Sequence, residues 1–255
     1  MPRLLLILIF CTSPLQASNL SLEQRISTAL DTPALDGKAI WLEAGEVRFL
    51  TIYSPSREKI SKGYALLLHD AGAHANWAEV IRPLRQHLST QGWDTLSLQL
   101  PTSSYSNSAN SKTLLKLAIP RIQAVIGHFK KQRNWVLVGH GLGAAMALNY
   151  AAKQPNNNIK AIAAISLSIP THDNQDPVKK AIASLKLPIL DLFGSRDLPS
   201  VMESAEERRR VALDNGQDRY RQEKVIGADH YFRGVQSSLT RRVQAWLWQG
   251  MNQTQ

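Results

Sequence analysis

Cysteine is nearly absent from this chain: Cys11 is the only one in 255 residues. A disulfide framework and a thiolate metal cluster are therefore excluded. No apolar run reaches the roughly 18 residues that a membrane-spanning helix needs. The run Leu4 to Phe10 follows Met1-Pro2-Arg3 and is broken by Pro14, with the small Ala17 beyond it. That pattern predicts a secretory signal peptide over residues 1–17, export across the inner membrane and a periplasmic location. Phe10 precedes Cys11, whereas a lipoprotein signal places a small residue there. Cleavage near Ala17 leaves a mature chain without a thiol and without a transmembrane segment. Negative charge is also missing over a long stretch. No acidic residue lies between Asp94 and Asp173, although eight Lys and Arg fall there, from Lys112 to Lys160. The whole chain carries 30 basic and 20 acidic side chains, and loss of Arg3 with the leader leaves a net +9. This asymmetry predicts a solvated basic face, including Arg121, that could meet an anionic envelope surface. Export rules out nucleic acid as the partner. Charged residues make up 20% and hydrophobic ones 44%, which excludes a disordered chain or a coiled coil.

From residue 38 onward, short apolar runs alternate with helical patterns and no internal repeat is present. Eight strands are expected, over 39–44, 47–54, 64–68, 95–100, 135–138, 159–167, 188–193 and 220–226. The first two are separated only by Gly45-Glu46 and should form an antiparallel hairpin. The others read as a mainly parallel sheet covered by helices. A helix is expected over 76–89. Another is expected through Leu115, Ile119, Ile122, Ile126 and Phe129, kinked or started late by Pro120. Ser200 and Glu203 form a capping-box pattern before a helix over 202–213, which Asn215-Gly216 should end. A last helix is expected over 237–248. Residues 18–37 read as a lead-in with one or two amphipathic turns, 38–250 as one domain, and 251–255 as a flexible tail. Arg208-Arg209-Arg210 and Arg241-Arg242 should mark exposed faces, with Trp246 and Trp248 as core and rim. Polar loops at 102–111, which include Tyr105, and at 171–177 follow strand ends, where ligands bind in an open parallel sheet. Between the sixth and seventh strands there is room for one short helix rather than a large cap.

The turn after the fifth strand reads Gly139-His140-Gly141-Leu142-Gly143. This strand, tight turn and small-residue helix start is the framework of G-x-S-x-G, with Gly141 in the serine position. Glycine has no side chain with which to attack a carbonyl. After the third strand comes His69-Asp70-Ala71-Gly72, after the seventh Ser195-Arg196-Asp197, and after the eighth Asp229-His230. Over about residues 38–250 the chain resembles the α/β-hydrolase superfamily. With its leader and G-H-G-x-G elbow, it is similar to an uncharacterised bacterial family of secreted α/β-hydrolase-like proteins that lack the nucleophilic serine. The resemblance implies an eight-stranded α/β-hydrolase fold with helices on both faces. It also implies that His230 is the base, that Asp197 orients it, and that amides near Ala71 and Leu142 face an oxyanion. Asp70 stands where the family's H-G-x-G segment has glycine.

Loss of a triad serine typically costs about 10⁶ in turnover, so ordinary serine hydrolysis is disfavoured. Asp197 and His230 could still serve as a dyad that activates water in an esterase-like or lyase-like reaction. They could equally be a retained structural hydrogen bond. Five histidines, His69, His74, His140, His172 and His230, follow strands near the site edge, but no tight metal-ligand spacing such as H-E-x-x-H appears. No metal or cofactor is expected. The expected function is binding of a small ligand or envelope component without catalysis, in the extra room that Gly141 leaves at the elbow.

Overall fold

The computed structural model describes residues 19–102, 108–130, 134–154, 158–169 and 176–252. The leader, Tyr105, His172 and most of the 171–177 loop lie outside these residues. Eight strands form one sheet: β1 (Lys38–Ala44), β2 (Val47–Ser54), β3 (Tyr64–Leu68), β4 (Asp94–Leu98), β5 (Trp135–His140), β6 (Ile159–Ile165), β7 (Ile189–Arg196) and β8 (Tyr220–Asp229). Their order is β1-β2-β4-β3-β5-β6-β7-β8. β1 pairs antiparallel with β2, and β2 antiparallel with β4, while every other pairing is parallel. The count of eight and the opening hairpin are as expected, but β4 and β6 each end two residues earlier than expected, β5 runs two residues further, and β7 and β8 run three residues further, so that Ser195, Arg196 and Asp229 lie on the strands and not after them. β3 is buried along its whole length because helices cover both faces, which is why it reads as a continuous apolar run. Leu66 and Leu68 belong to one core, with α3 (Ser108–His128), α4 (Leu142–Lys153) and α5 (Pro177–Ser184). Ala65 and Leu67 belong to the other, with α2 (Ile81–Thr90) and α8 (Gln236–Asn252).

Several expectations are corrected. Helix α2 begins at Ile81 rather than at residue 76, because 73–77 make a turn in which the Trp77 amide bonds the His74 carbonyl. Pro83 then falls in the first turn, where no intrahelical donor is needed. Helix α3 starts at Ser108, earlier than expected, and runs through Pro120. Its buried Leu114, Leu115, Ala118, Ile122 and Val125 bind it to the sheet, which outweighs one lost backbone bond. The lead-in is longer than one or two turns: α1 (Leu20–Leu30) has 11 residues and is N-capped by Asn19. Its Glu23 is buried and pairs with Arg121 at 2.6 Å, while the Thr102 amide donates to the same carboxylate at 2.8 Å. Arg121 is thus an internal anchor for α1 and not part of a solvated basic face. Helix α8 continues through Asn252, past the expected start of the tail.

The capping-box expectation also fails. Ser200 lies inside α6 (Pro199–Glu203), and α7 (Ala205–Asp214) follows Ser204 without a side-chain cap. Asn215 and Gly216 do end α7, with Gly216 at φ 63°. Arg208 is fully buried rather than exposed, since its guanidinium reaches back across β7 to Asp191 at 2.7 Å and also bonds the Val201 carbonyl and Ser204. Tyr220 and Gln222 complete the Asp191 carboxylate. Arg208→Met is expected to strand Asp191 as a buried uncompensated charge and lower stability by about 3–5 kcal/mol, measured by urea unfolding. A loss below about 1 kcal/mol would show that the pair is not the anchor of this corner. Trp246 is buried, whereas Trp248 is exposed.

Candidate functional site

All parallel strands end at one edge, and the residues singled out in the sequence gather there. β5 leads through Gly141, at φ 53° and ψ −119°, directly into α4. Only glycine adopts such a positive φ without cost. The turn is also tight, because a Cβ on Gly139 would meet Ala144 backbone atoms at 2.4–2.5 Å and one on Gly143 would meet the Leu68 carbonyl oxygen at 2.3 Å. β3 neighbours β5, so the segment after Leu68 crosses over this turn. The side chain of Asp70 lies directly on Gly141: a Cβ there would sit 2.0 Å from its Oδ1 and 2.1 Å from its Cγ. The space expected to be vacant for a ligand fragment is therefore filled by this protein's own carboxylate.

Three groups hold Asp70. The Leu142 amide, at the N-terminus of α4, donates to Oδ1 at 2.6 Å, and His230 Nε2 donates to Oδ2 at 2.9 Å. Below, His69 accepts from the Leu100 amide at Nε2, so its Nδ1 carries the proton and donates to the Asp70 carbonyl at 2.8 Å. Burial pushes the His69 ring down to about 4, which keeps it neutral in this role. Ala71 and Gly72 lie at the exposed surface of the same turn. The amide expected to face an oxyanion, Leu142 N–H, already has an anion as its partner.

On the other side of His230, Nδ1 donates to Asp197 Oδ1 at 2.7 Å. Asp197 follows a register shift in β7 after Gly194, and its carboxylate also accepts from Ser166 Oγ at 2.6 Å, from the Leu198 amide at 2.8 Å and from the Gly194 amide at 3.2 Å. Burial alone would raise the Asp197 carboxyl. The bonds from His230, Ser166 and the two amides outweigh it and hold the group below its ordinary range. Asp70 behaves alike, with burial opposed by His230, His140 and the Leu142 amide. For His230, burial disfavours the charged ring, but the two carboxylates prevail and raise its value to about 9. Both ring nitrogens donate, so the ring is an imidazolium clasped between two carboxylates at neutral pH.

Ser166 was not anticipated. It follows the C-terminal end of β6 at φ 51°, an uncommon conformation for a non-glycine residue, and is buried. The sequence reading placed it inside the sixth strand, expected over 159–167, whereas β6 ends at Ile165 and leaves Ser166 at the ligand-binding edge. His140 is buried, with its Nε2 bonded to the His230 carbonyl at 2.9 Å, and burial depresses its ring. Its Nδ1 has no hydrogen-bond partner among the described residues. Asp70, His140 and His230 offer one potential metal-ligand atom each within 4.8 Å of one another. Two donors about 2.1 Å from one ion span at most about 4.2 Å, so this spread suits the observed hydrogen-bond network better than a closed metal centre. His74 accepts from the Asn76 amide and stacks edge-on against Trp77, apart from the trio.

The open eight-stranded sheet, the glycine turn and the residues carried on the strand ends define an α/β-hydrolase fold. The chain belongs to the family described as proteins of unknown function DUF3530, which matches residues 11–117 and 105–249. Among solved structures it is similar to Est1E from Butyrivibrio proteoclasticus, solved with ferulic acid bound, with a TM-score of 0.69 and 14% identity over 84% of this chain and 100% of that one. A dienelactone hydrolase from Anabaena variabilis superposes with a TM-score of 0.64 and 19% identity, covering 84% of this chain and 97% of that one. A serine hydrolase without a lid from Xanthomonas campestris gives 0.64 and 14%, covering 86% and 96%. At these identities the likeness is one of fold. No curated protein matches the chain. Among the described residues no helix is long and apolar enough to cross a membrane.

Proposed function

We propose that this is an exported α/β-hydrolase-fold protein of the periplasm that has given up serine catalysis and acts by binding a ligand or partner in the envelope. The observation that carries this reading is the Asp70 carboxylate seated on Gly141. It takes the volume that a nucleophile's side chain would need, neutralises the imidazolium of His230 and occupies the Leu142 amide that an oxyanion would use. A base must have a free lone pair, and His230 has none while Asp70 and Asp197 hold both nitrogens. The same clasp speaks against the water-activating dyad, which needs a neutral ring at working pH. The leader-like segment at residues 1–17 supports export.

The test is hydrolysis of short-chain p-nitrophenyl esters and thioesters by purified wild type beside His230→Ala, together with labelling by a fluorophosphonate probe. Equal background rates and no labelling are expected. Turnover that disappears in His230→Ala would overturn the non-catalytic reading in favour of an esterase-like enzyme working through Asp197 and His230.

A further inference from the structure

The opposite edge of the sheet, where the parallel strands begin, has a character of its own. Four large apolar side chains among the described residues are more than half exposed: Ile60 (81%), Leu213 (66%), Ile226 (81%) and Trp248 (58%). Three of them lie at this edge. Ile60 precedes β3, Leu213 is in the last turn of α7 before β8, and Trp248 is near the end of α8. Cations stand near two of them, Trp248 on α8 and Leu213 on α7, whose helices cover opposite faces of the sheet. Lys62 Nζ stands 5.0 Å over the Trp248 ring and donates to the Gln91 carbonyl at 2.6 Å. Arg221 bonds Gln249 at 3.0 Å beside Trp248, and Lys186 bonds the Asn215 carbonyl at 3.0 Å beside Leu213. Around them Arg57, Lys59, Lys130, Lys153 and Lys160 are exposed on the segments that enter or leave the same edge. The exposed carboxylates there are Glu58, Asp214 and Asp218, with Asp36 farther along beside α2, and the half-buried Glu223 pairs with Arg221 at 2.7 Å.

Exposed tryptophan, isoleucine and leucine set within an excess of Lys and Arg form a surface suited to a membrane interface. An indole and aliphatic tips enter the headgroup region while the surrounding cations meet anionic headgroups. We propose that this edge docks the protein on an anionic phospholipid surface, with the Asp70–His230 site at the opposite edge facing away from the lipid. The surface takes in only part of the acid-free stretch read from the sequence, through Lys130, Lys153 and Lys160. Arg121 of that stretch is internal, and Lys112 and Lys116 sit on the first half of α3, which starts at the site edge.

The experiment is co-sedimentation of the mature chain with phosphatidylcholine vesicles with and without phosphatidylglycerol, at low and high ionic strength. Binding is expected only with the anionic lipid and should weaken in high salt. Lys62→Glu with Lys160→Glu should lower the partition constant on the order of 20-fold or more, since each lost cation near the surface is worth about fivefold. Lys112→Glu with Lys116→Glu, an equal change in net charge, should cost several-fold less. Ile60→Ser with Trp248→Ser should remove the binding that persists at intermediate salt. Trp248→Phe should abolish the blue shift of tryptophan emission on adding anionic vesicles. Matched unfolding curves establish that each variant is folded. No binding to anionic vesicles at low salt, equal losses from the two lysine pairs, or retention of an acidic polypeptide such as polyglutamate without retention on vesicles would each overturn the proposal.

Discussion

Asp70→Gly combined with Gly141→Ser is expected to hydrolyse p-nitrophenyl acetate at least about 10²-fold faster than the wild type, a small part of the roughly 10⁶ that such a serine typically carries. Neither substitution alone should do so. Asp70→Gly by itself leaves no nucleophile. Gly141→Ser by itself places a Cβ 2.0 Å from Asp70 Oδ1, so the carboxylate or the turn must move and the domain should lose stability. Together they remove the obstruction, free the Leu142 amide for an oxyanion, release His230 Nε2 as a base and supply a hydroxyl at the elbow. The gain should vanish when His230→Ala is added. Activity in Gly141→Ser alone equal to that of the double variant would show that Asp70 is no obstacle. A folded, inactive double variant would show that the scaffold lacks more than its nucleophile.

The second large effect is on the charge of His230. In the wild type the ring should stay protonated until about pH 9, as followed by the NMR shift of its ring protons. Asp70→Asn keeps the shape but removes one of the two carboxylates, so the ring should titrate at clearly lower pH. Stability follows by linkage. Because the folded value is raised above the ordinary value of about 6.5, the histidine's contribution is complete below about 6.5. It declines as pH rises and is gone above about 9. Asp70 and Asp197, held below their ordinary range, contribute above about pH 4 and lose that contribution as acid protonates them in the folded state. Thermal unfolding of the wild type should therefore weaken between about pH 6.5 and 9, and Asp70→Asn should flatten that alkaline slope. Identical slopes in the two proteins would mean that the Asp70 contact contributes nothing to folding.

Much of the frame was legible from local pattern. The alternation of apolar runs, the two-residue hairpin turn, the Gly139 to Gly143 turn and the positions of Asp197 and His230 are all short-range signals, readable within a dozen residues. Boundaries were less legible where packing overrides propensity. Pro120 lies inside α3 because the helix has a buried stripe on both sides of it, and Ser200 is not a cap because Ser204 turns the chain four residues later. Arg208 looked like one of three surface arginines. Its phase on α7 turns it toward Asp191, a carboxylate in the middle of a buried strand, and that partner lies 17 residues away.

By itself the sequence determined the glycine turn at Gly139, Gly141 and Gly143, an aspartate and a histidine after later strands in the order that the resemblance implies, and Asp70 after the third strand. Only the tertiary structure decided that these positions form one feature. Asp70 and Gly141 are separated by 71 positions in the chain, and no periodicity relates them. They meet because β3 lies beside β5, with Leu68 opposite Gly139, which brings the two following turns into van der Waals contact. In that contact a carboxylate and a Cβ cannot share the same volume, so the glycine is the space that lets Asp70 reach both Leu142 and His230.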